Sequence, residues 1–106
     1  MSSLSTESFQ KAVGRIGDEC RKQELFKLAG RFAHSCADVG VSDFERLAIL
    51  AEEFGEVAHE VNETIGGHAP LNREKLRKEL VQVAAVCVAW LQGLDAEDFE
   101  TECNAG

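Results

Sequence analysis

The stretch SDFERLAILAEEFGEVAHEVNETI, residues 42–65, decides the fold. Ser42 and Glu45 stand three apart at its start, the spacing of a capping box in which each side chain satisfies the other's backbone N–H. Phe44, Leu47, Ala48, Ala51, Phe54, Ala58, Val61 and Ile65 then recur at three- and four-residue steps, which makes one continuous apolar stripe on a helix of about six turns. Glu53, Glu56 and Glu60 run along one edge of that stripe, while Glu45, Glu52 and Glu63 point farther toward solvent. The helix ends against Gly66-Gly67-His68-Ala69-Pro70, the strongest chain breakers in the sequence, and the chain turns back there.

The returning arm opens with Asn72 as a cap and a charged turn, Arg73 to Glu79, before an apolar run over residues 80–91. Val81, Val83, Val86 and Val88 would also suit a buried strand. The run goes on too long without a turn and is entered through helix formers, so the pattern predicts a helix buried on most sides.

Upstream, Ser5 or Thr6 is the expected cap of a first helix, with Phe9, Val13, Ile16 and Cys20 on one buried stripe. Leu25, Leu28, Ala29, Phe32 and Cys36 keep the period on a face rotated by more than a quarter turn. That predicts a bend near residues 21–24 or two halves with different partners. Gly14, Gly17 and Gly30 count against an unbroken helix, because each costs up to ~1 kcal/mol relative to Ala in a helix interior. Residues 38–41 read as a connection, residues 95–100 as one short acidic turn, and residues 101–106 as a frayed end. The expectation is an all-α fold, a helical hairpin plus an N-terminal helix in a single domain over residues 1–106, with its core in 5–94 and a tail in 95–106. A chain this short with so apolar a third helix needs cover, which predicts a homodimer or homotetramer.

Lys and Arg number 11 against 19 Asp and Glu, a net charge of −8. That balance excludes general binding to a nucleic-acid backbone, which requires clustered cations. The four cysteines, Cys20, Cys36, Cys87 and Cys103, have no CxxC spacing and read as free thiols in a reducing compartment. The N-terminus lacks the basic start and apolar run of a secretory signal. The apolar run of residues 80–91 is interrupted by Gln82 and falls short of the ~20 residues that span a bilayer. These readings predict a soluble, cytoplasmic protein with no membrane partner.

Chemistry concentrates in two clusters, Glu52-Glu53-Phe54-Gly55-Glu56 and Glu79-Leu80-Val81-Gln82. Side chains three residues apart lie on one helix face, ~5 to 6 Å apart at Cβ, and two such pairs meeting across a hairpin form a site for a hard divalent cation. Carboxylates gathered in a partly buried groove repel one another unless a cation neutralises them. Gln82 is the polar residue inside the apolar run, and a buried amide without partners costs roughly 1 to 3 kcal/mol, so a facing group or a ligand is expected to satisfy it.

Glu52, Glu53 and Glu56 in the pattern EExxE, followed after a hairpin by an ExxD-like pair on a very apolar helix, resemble the MazG-type all-α nucleoside triphosphate pyrophosphohydrolases. The resemblance covers residues 42–94. It implies a helical bundle that assembles as a dimer or a dimer of dimers, binds Mg²⁺, or Mn²⁺ in its place, and splits a nucleoside triphosphate into monophosphate and pyrophosphate, a nucleotide-pool cleaning role. Carried over by position, it implies metal binding by Glu53, Glu56, Glu79 and Gln82, with Glu52 as the additional acid. Gln82 stands where the family usually has Asp; it offers an amide oxygen but cannot act as a base, so Glu52 or Glu56 is the expected general base. Among the basic residues before Glu79, Lys78 is the expected phosphate contact, and Trp90, about three turns along a similar face, a candidate to stack on the base. A catalytically weak or inactive helical module that binds a nucleotide or protein partner is the alternative. Glu56 and His59 also make an ExxH spacing, but a di-iron bundle needs a second such pair and the third helix offers only Glu79 with Gln82.

Overall fold

Ser42 caps a helix here as its spacing predicts: its Oγ accepts a hydrogen bond from the Glu45 backbone N–H at 3.1 Å. The computed structural model of the chain describes residues 3–30, 35–65 and 70–105, with the side chains of residues 3, 4, 65 and 105 outside the description. It contains three helices, α1 (Ser3–Leu28), α2 (Asp43–Ile65) and α3 (Arg73–Ala105), and no strand among the described residues. Asn72 caps α3 through Oδ1, which accepts from the Lys75 N–H at 3.0 Å. The expected breaker turn at residues 66–69 lies outside the described residues, as do Phe32 and His34. The pairing of α2 with α3 is nonetheless that of an antiparallel hairpin, since Asp43 and Arg46 meet Trp90 and Glu97 at one end while Glu60 meets Lys75 at the other.

Several expectations are corrected. The first helix begins at Ser3, ahead of Ser5 and Thr6, and runs without interruption through Gly14, Gly17 and residues 21–24. It stops at Leu28 rather than continuing to Cys36, because Gly30 takes up a φ of 80° and its N–H closes a turn on the Lys27 carbonyl at 3.0 Å. The last helix does not end near residue 94; nothing from residue 73 to 105 breaks it, and residues 95–105 continue it with Glu97 held by Arg46. α3 lies between the other two helices, packing against both while α1 and α2 do not pack on each other. It is less covered than expected: Ala85 and Val86 are buried, whereas Leu80, Cys87 and Leu91 are exposed. An 18-residue window of α3 reaches a mean hydropathy of 1.3, so the helix is long and apolar enough to cross a membrane by length and composition, beyond the limit set by residues 80–91 alone.

The apolar stripe of α2 also faces an unexpected way. Phe44, Leu47, Phe54 and Val61 are exposed, and the face turned to α3 carries Arg46, Leu50, Glu53, Val57 and Glu60 instead. On α1, Phe9 and Val13 are likewise exposed, leaving Ile16 and Cys20 as the half-buried part of that stripe.

The order at the far end of the hairpin comes from Arg46, which is 1% exposed. Its Nε donates to the Cys36 carbonyl at 3.0 Å and its Nη2 to the Asp38 carbonyl at 2.9 Å, fixing the α1–α2 connection. Nη1 donates to Asp43 Oδ1 at 3.0 Å and Nη2 also to Glu97 Oε1 at 2.8 Å, tying α2 to α3. Lys27 pairs with Asp38 and adds α1 to the same junction. The guanidinium fits because α3 has Gly93 opposite it: a Cβ there would stand 2.5 Å from the Cys36 carbonyl oxygen and against Arg46 Nη2.

Gly93→Ala therefore sets two effects against each other. Helix propensity alone would stabilise the variant by ~1 kcal/mol, whereas overpacking costs ~1 to 3 kcal/mol and displaces hydrogen-bonded partners as well. A net loss of at least ~1 kcal/mol in urea-induced unfolding is the expected result. A gain in stability would mean that Arg46 does not occupy this position.

Candidate metal centre

The hairpin brings Glu53 and Glu56 of α2 against Glu79 of α3. One carboxylate oxygen from each lies within 4.8 Å of the other two. The i, i+3 spacing places the first pair on adjoining faces of α2, and the antiparallel register set by the Arg46 junction brings Glu79 opposite them. Glu79 is 9% exposed and Glu53 half-buried, and each has an Oε2 sealed from solvent with no hydrogen-bond partner among the described residues. Two orphaned anionic oxygens beside a third carboxylate are costly in an isolated chain and are the donor set a hard cation takes.

The titration behaviour reflects the same conflict. Burial raises the Glu53 pKa above its ordinary value, and the charges of Glu56, Glu79, Glu52 and, from α1, Glu19 raise it further. Glu79 is also raised, first by burial, then by a hydrogen bond that only a protonated carboxyl can make with Glu56, then by the Glu56 charge. Lys75 and Lys78 act in the opposite sense on Glu79.

A groove of about 440 Å³, lined by Glu52, Gly55, Glu56, His59, Lys75 and Glu79, meets the cluster at Glu56 and Glu79, while Glu53 stands outside its lining. Glu52, Glu56 and Glu79 make it acidic, with Lys75 contributed by α3 and His59 by α2. Lys75 Nζ bridges the helices to Glu60 Oε2 at 3.2 Å, which holds it at the rim, and His59 sits 3.7 Å from Glu63 with most of its side chain exposed. Glu52 lines the groove but stands outside the three-carboxylate cluster.

The remaining candidates are placed differently. Gln82, one turn along α3 from Glu79, is half-buried and does not line this groove; its amide makes no hydrogen bond among the described residues and is not sealed from solvent, so water can satisfy it. Lys78 lines a separate groove between α1 and α3 with Arg15, Glu19 and Lys22. Trp90 stands at the opposite end of the hairpin, its indole N–H donating to Asp43 Oδ1 at 3.0 Å. With the Arg46 guanidinium, that contact holds the Asp43 carboxyl below its ordinary pKa. In sequence, Lys75 counts among the basic residues before Glu79, where Lys78 is preferred, and Glu60 shares the stripe edge with Glu53 and Glu56; Glu19 has no such signal. A sharper signal was available for Lys75, which lies four residues before Glu79 and so on its side of α3.

The raised acids give a signed pH dependence. Between the unfolded value near 4.5 and the higher folded values, the folded chain holds more protons than the unfolded chain, so stability is greatest below that window and is lost as pH rises through it. Without divalent cations, the melting temperature falls from pH 5 to pH 8. Glu79→Gln recovers stability at pH 8 and flattens the profile, with ~1 kcal/mol corresponding to ~4 to 8 °C in a domain of this size. A lower melting temperature for Glu79→Gln at pH 8 would show that its carboxylate is satisfied rather than strained. Comparison with family models, curated proteins and solved structures found no match, so the chemistry of the site is argued from these groups.

Proposed function

We propose that this chain is a Mg²⁺-dependent nucleoside triphosphate pyrophosphohydrolase of the MazG-like kind, releasing a monophosphate and pyrophosphate. The observation that carries the reading is the pair of sealed, unpartnered oxygens on Glu53 and Glu79 within a three-carboxylate cluster. Glu53, Glu56 and Glu79 would hold the cation, whose charge would neutralise phosphate oxygens and polarise the phosphorus under attack.

The chain's own groups supply the rest. Glu52 lines the groove without belonging to the cluster, so its carboxylate is free to take a proton from the attacking water, whereas Glu56 is engaged as a ligand. The new P–O bond forms as the α–β phosphoanhydride bond breaks, and the bridging oxygen leaves with pyrophosphate. Lys75, at the groove rim, takes the phosphate-contacting role in preference to Lys78, which lines the other groove. Trp90 makes its hydrogen bond at the other end of the hairpin, so base recognition falls to other groups. The four unpaired cysteines suit a reducing, cytoplasmic setting, and the acidic balance suits a nucleotide reached through a cation rather than a nucleic-acid strand.

A specific feature favours a second reading: Gln82 is neutral where the resemblance expects Asp, which suits a nucleotide-binding module without turnover. The iron-bundle reading has a single Glu56–His59 pair to stand on. Pyrophosphate release from a panel of nucleoside triphosphates with Mg²⁺ separates the alternatives. Hydrolysis that falls at least ~100-fold in Glu53→Gln, together with a Mg²⁺-dependent rise in melting temperature, is the expected result. A thermal shift without hydrolysis selects the binding module, and neither effect rejects the metal site.

A further inference from the structure

A second hollow, of about 270 Å³, lies between α1 and α3 and gathers positive charge in a chain whose net charge is −8. Arg15 and Lys22 stand about two turns apart on α1, and Arg77 and Lys78 line the hollow from α3. Three acids share the lining, but two of them are already paired. Asp18 pairs with Arg21, which stands outside the hollow, and Glu74 pairs with Arg77 at 2.6 Å. Glu19 accepts a hydrogen bond from the Gln23 amide at 3.0 Å and is the acid left to balance the remaining cations. Among the described residues, Arg15, Lys22 and Lys78 make no hydrogen bond or ion pair, and Lys22 lies over the Phe26 ring, 5.6 Å from its centre. Three cations gathered against one acid repel one another, the converse of the conflict among the glutamates. An anion seated between the two helices removes it.

We propose that this hollow is a metal-free anion site that takes a short phosphoanhydride, pyrophosphate. Its charge and size select that class. Cations contributed by two helices call for a ligand with more than one charged group, because a small single anion satisfies one wall and leaves the other unpaired. The guanidinium of Arg15 offers a planar fork for two phosphate oxygens, and the ammonium groups of Lys22 and Lys78 act as point charges for the rest. The volume falls below the ~300 to 1,000 Å³ of sites that take drug-sized ligands, which leaves out a whole nucleotide and suits a compact inorganic anion. A nucleic-acid strand is excluded, since it needs a longer track of cations and a chain that is not acidic overall.

The position of the hollow says where its ligand comes from. Lys78 immediately precedes Glu79 and is turned about 100° from it around α3, so the carboxylates gather on the α2 side of that helix and the hollow opens on its α1 side. Pyrophosphate released at the glutamates has this basic hollow beside it, and its retention there makes it a product inhibitor. The choice of pyrophosphate rests on the hydrolysis proposed above, whereas the need for a multivalent anion rests on the hollow alone.

Isothermal titration calorimetry of the full chain with sodium pyrophosphate in EDTA tests the site without metal or turnover. Saturable binding with a dissociation constant below about 1 mM, weakening as salt is raised, is the expected result. Orthophosphate should bind at least about tenfold more weakly. Arg15→Ala and Lys78→Ala, both at exposed positions, should each weaken pyrophosphate by about tenfold or more, with Arg15→Lys between wild type and Arg15→Ala. Glu53→Gln should leave the affinity unchanged, because Glu53 does not line the hollow. Absence of saturable binding, an affinity unmoved by both alanine variants, or equal binding of orthophosphate overturns the proposal. Binding that persists in a chain that hydrolyses no nucleoside triphosphate supports the anion site and rejects the reaction proposed above.

Discussion

One buried guanidinium sets the register on which the rest depends. Arg46 has no charge-free way to be buried, so the chain surrounds it with two backbone carbonyls and the carboxylates of Asp43 and Glu97. The planar fork makes these bonds in several directions at once, which a lysine ammonium on a flexible stem would not reproduce. Gly93 gives the space. With that end clamped, the length of α2 brings Glu53 and Glu56 opposite Glu79, and Lys75 to Glu60 closes the other end.

Helix identity and hairpin order were legible because capping residues and apolar periodicity act locally. Ser42 and Asn72 declare two helix starts, and the expected all-α hairpin is present. What periodicity did not convey was which face each stripe meets. The α2 stripe reads as a core stripe, yet α3 packs on the neighbouring face that carries Arg46 and Glu53. A polar face with a buried clamp can win this contest within one chain, and hydrophobic pattern is silent about it. Arg46 itself looks in sequence like an ordinary surface charge; its meaning depends on Gly93, 47 positions later.

The acidic cluster was legible for a similar reason. Spacing on one helix names Glu53 with Glu56, and the hairpin supplies Glu79. Gln82 and Trp90 were harder to place, because one turn of helix for Gln82 and about three for Trp90 carry the side chain away from a groove that closes over a short distance. The basic rim comes from Lys75 rather than Lys78, a choice that follows the helical period, since Lys75 stands four residues before Glu79 on its side of α3 whereas Lys78 is the adjacent residue, turned about 100° away. The ends of α1 and α3 differed from expectation where a single glycine stopped one helix early and a distant ion pair carried the other onward.

Asp43 accepts from both Arg46 and Trp90, and that sharing has a practical consequence. The chain has one tryptophan and no tyrosine, so its intrinsic fluorescence comes essentially from this junction. The indole thus serves as a built-in probe of whether the clamp is closed, at the end of the molecule away from the glutamates. Emission changes report the hairpin's mechanical integrity, while events at the carboxylates are spectroscopically quiet unless they travel along the helices.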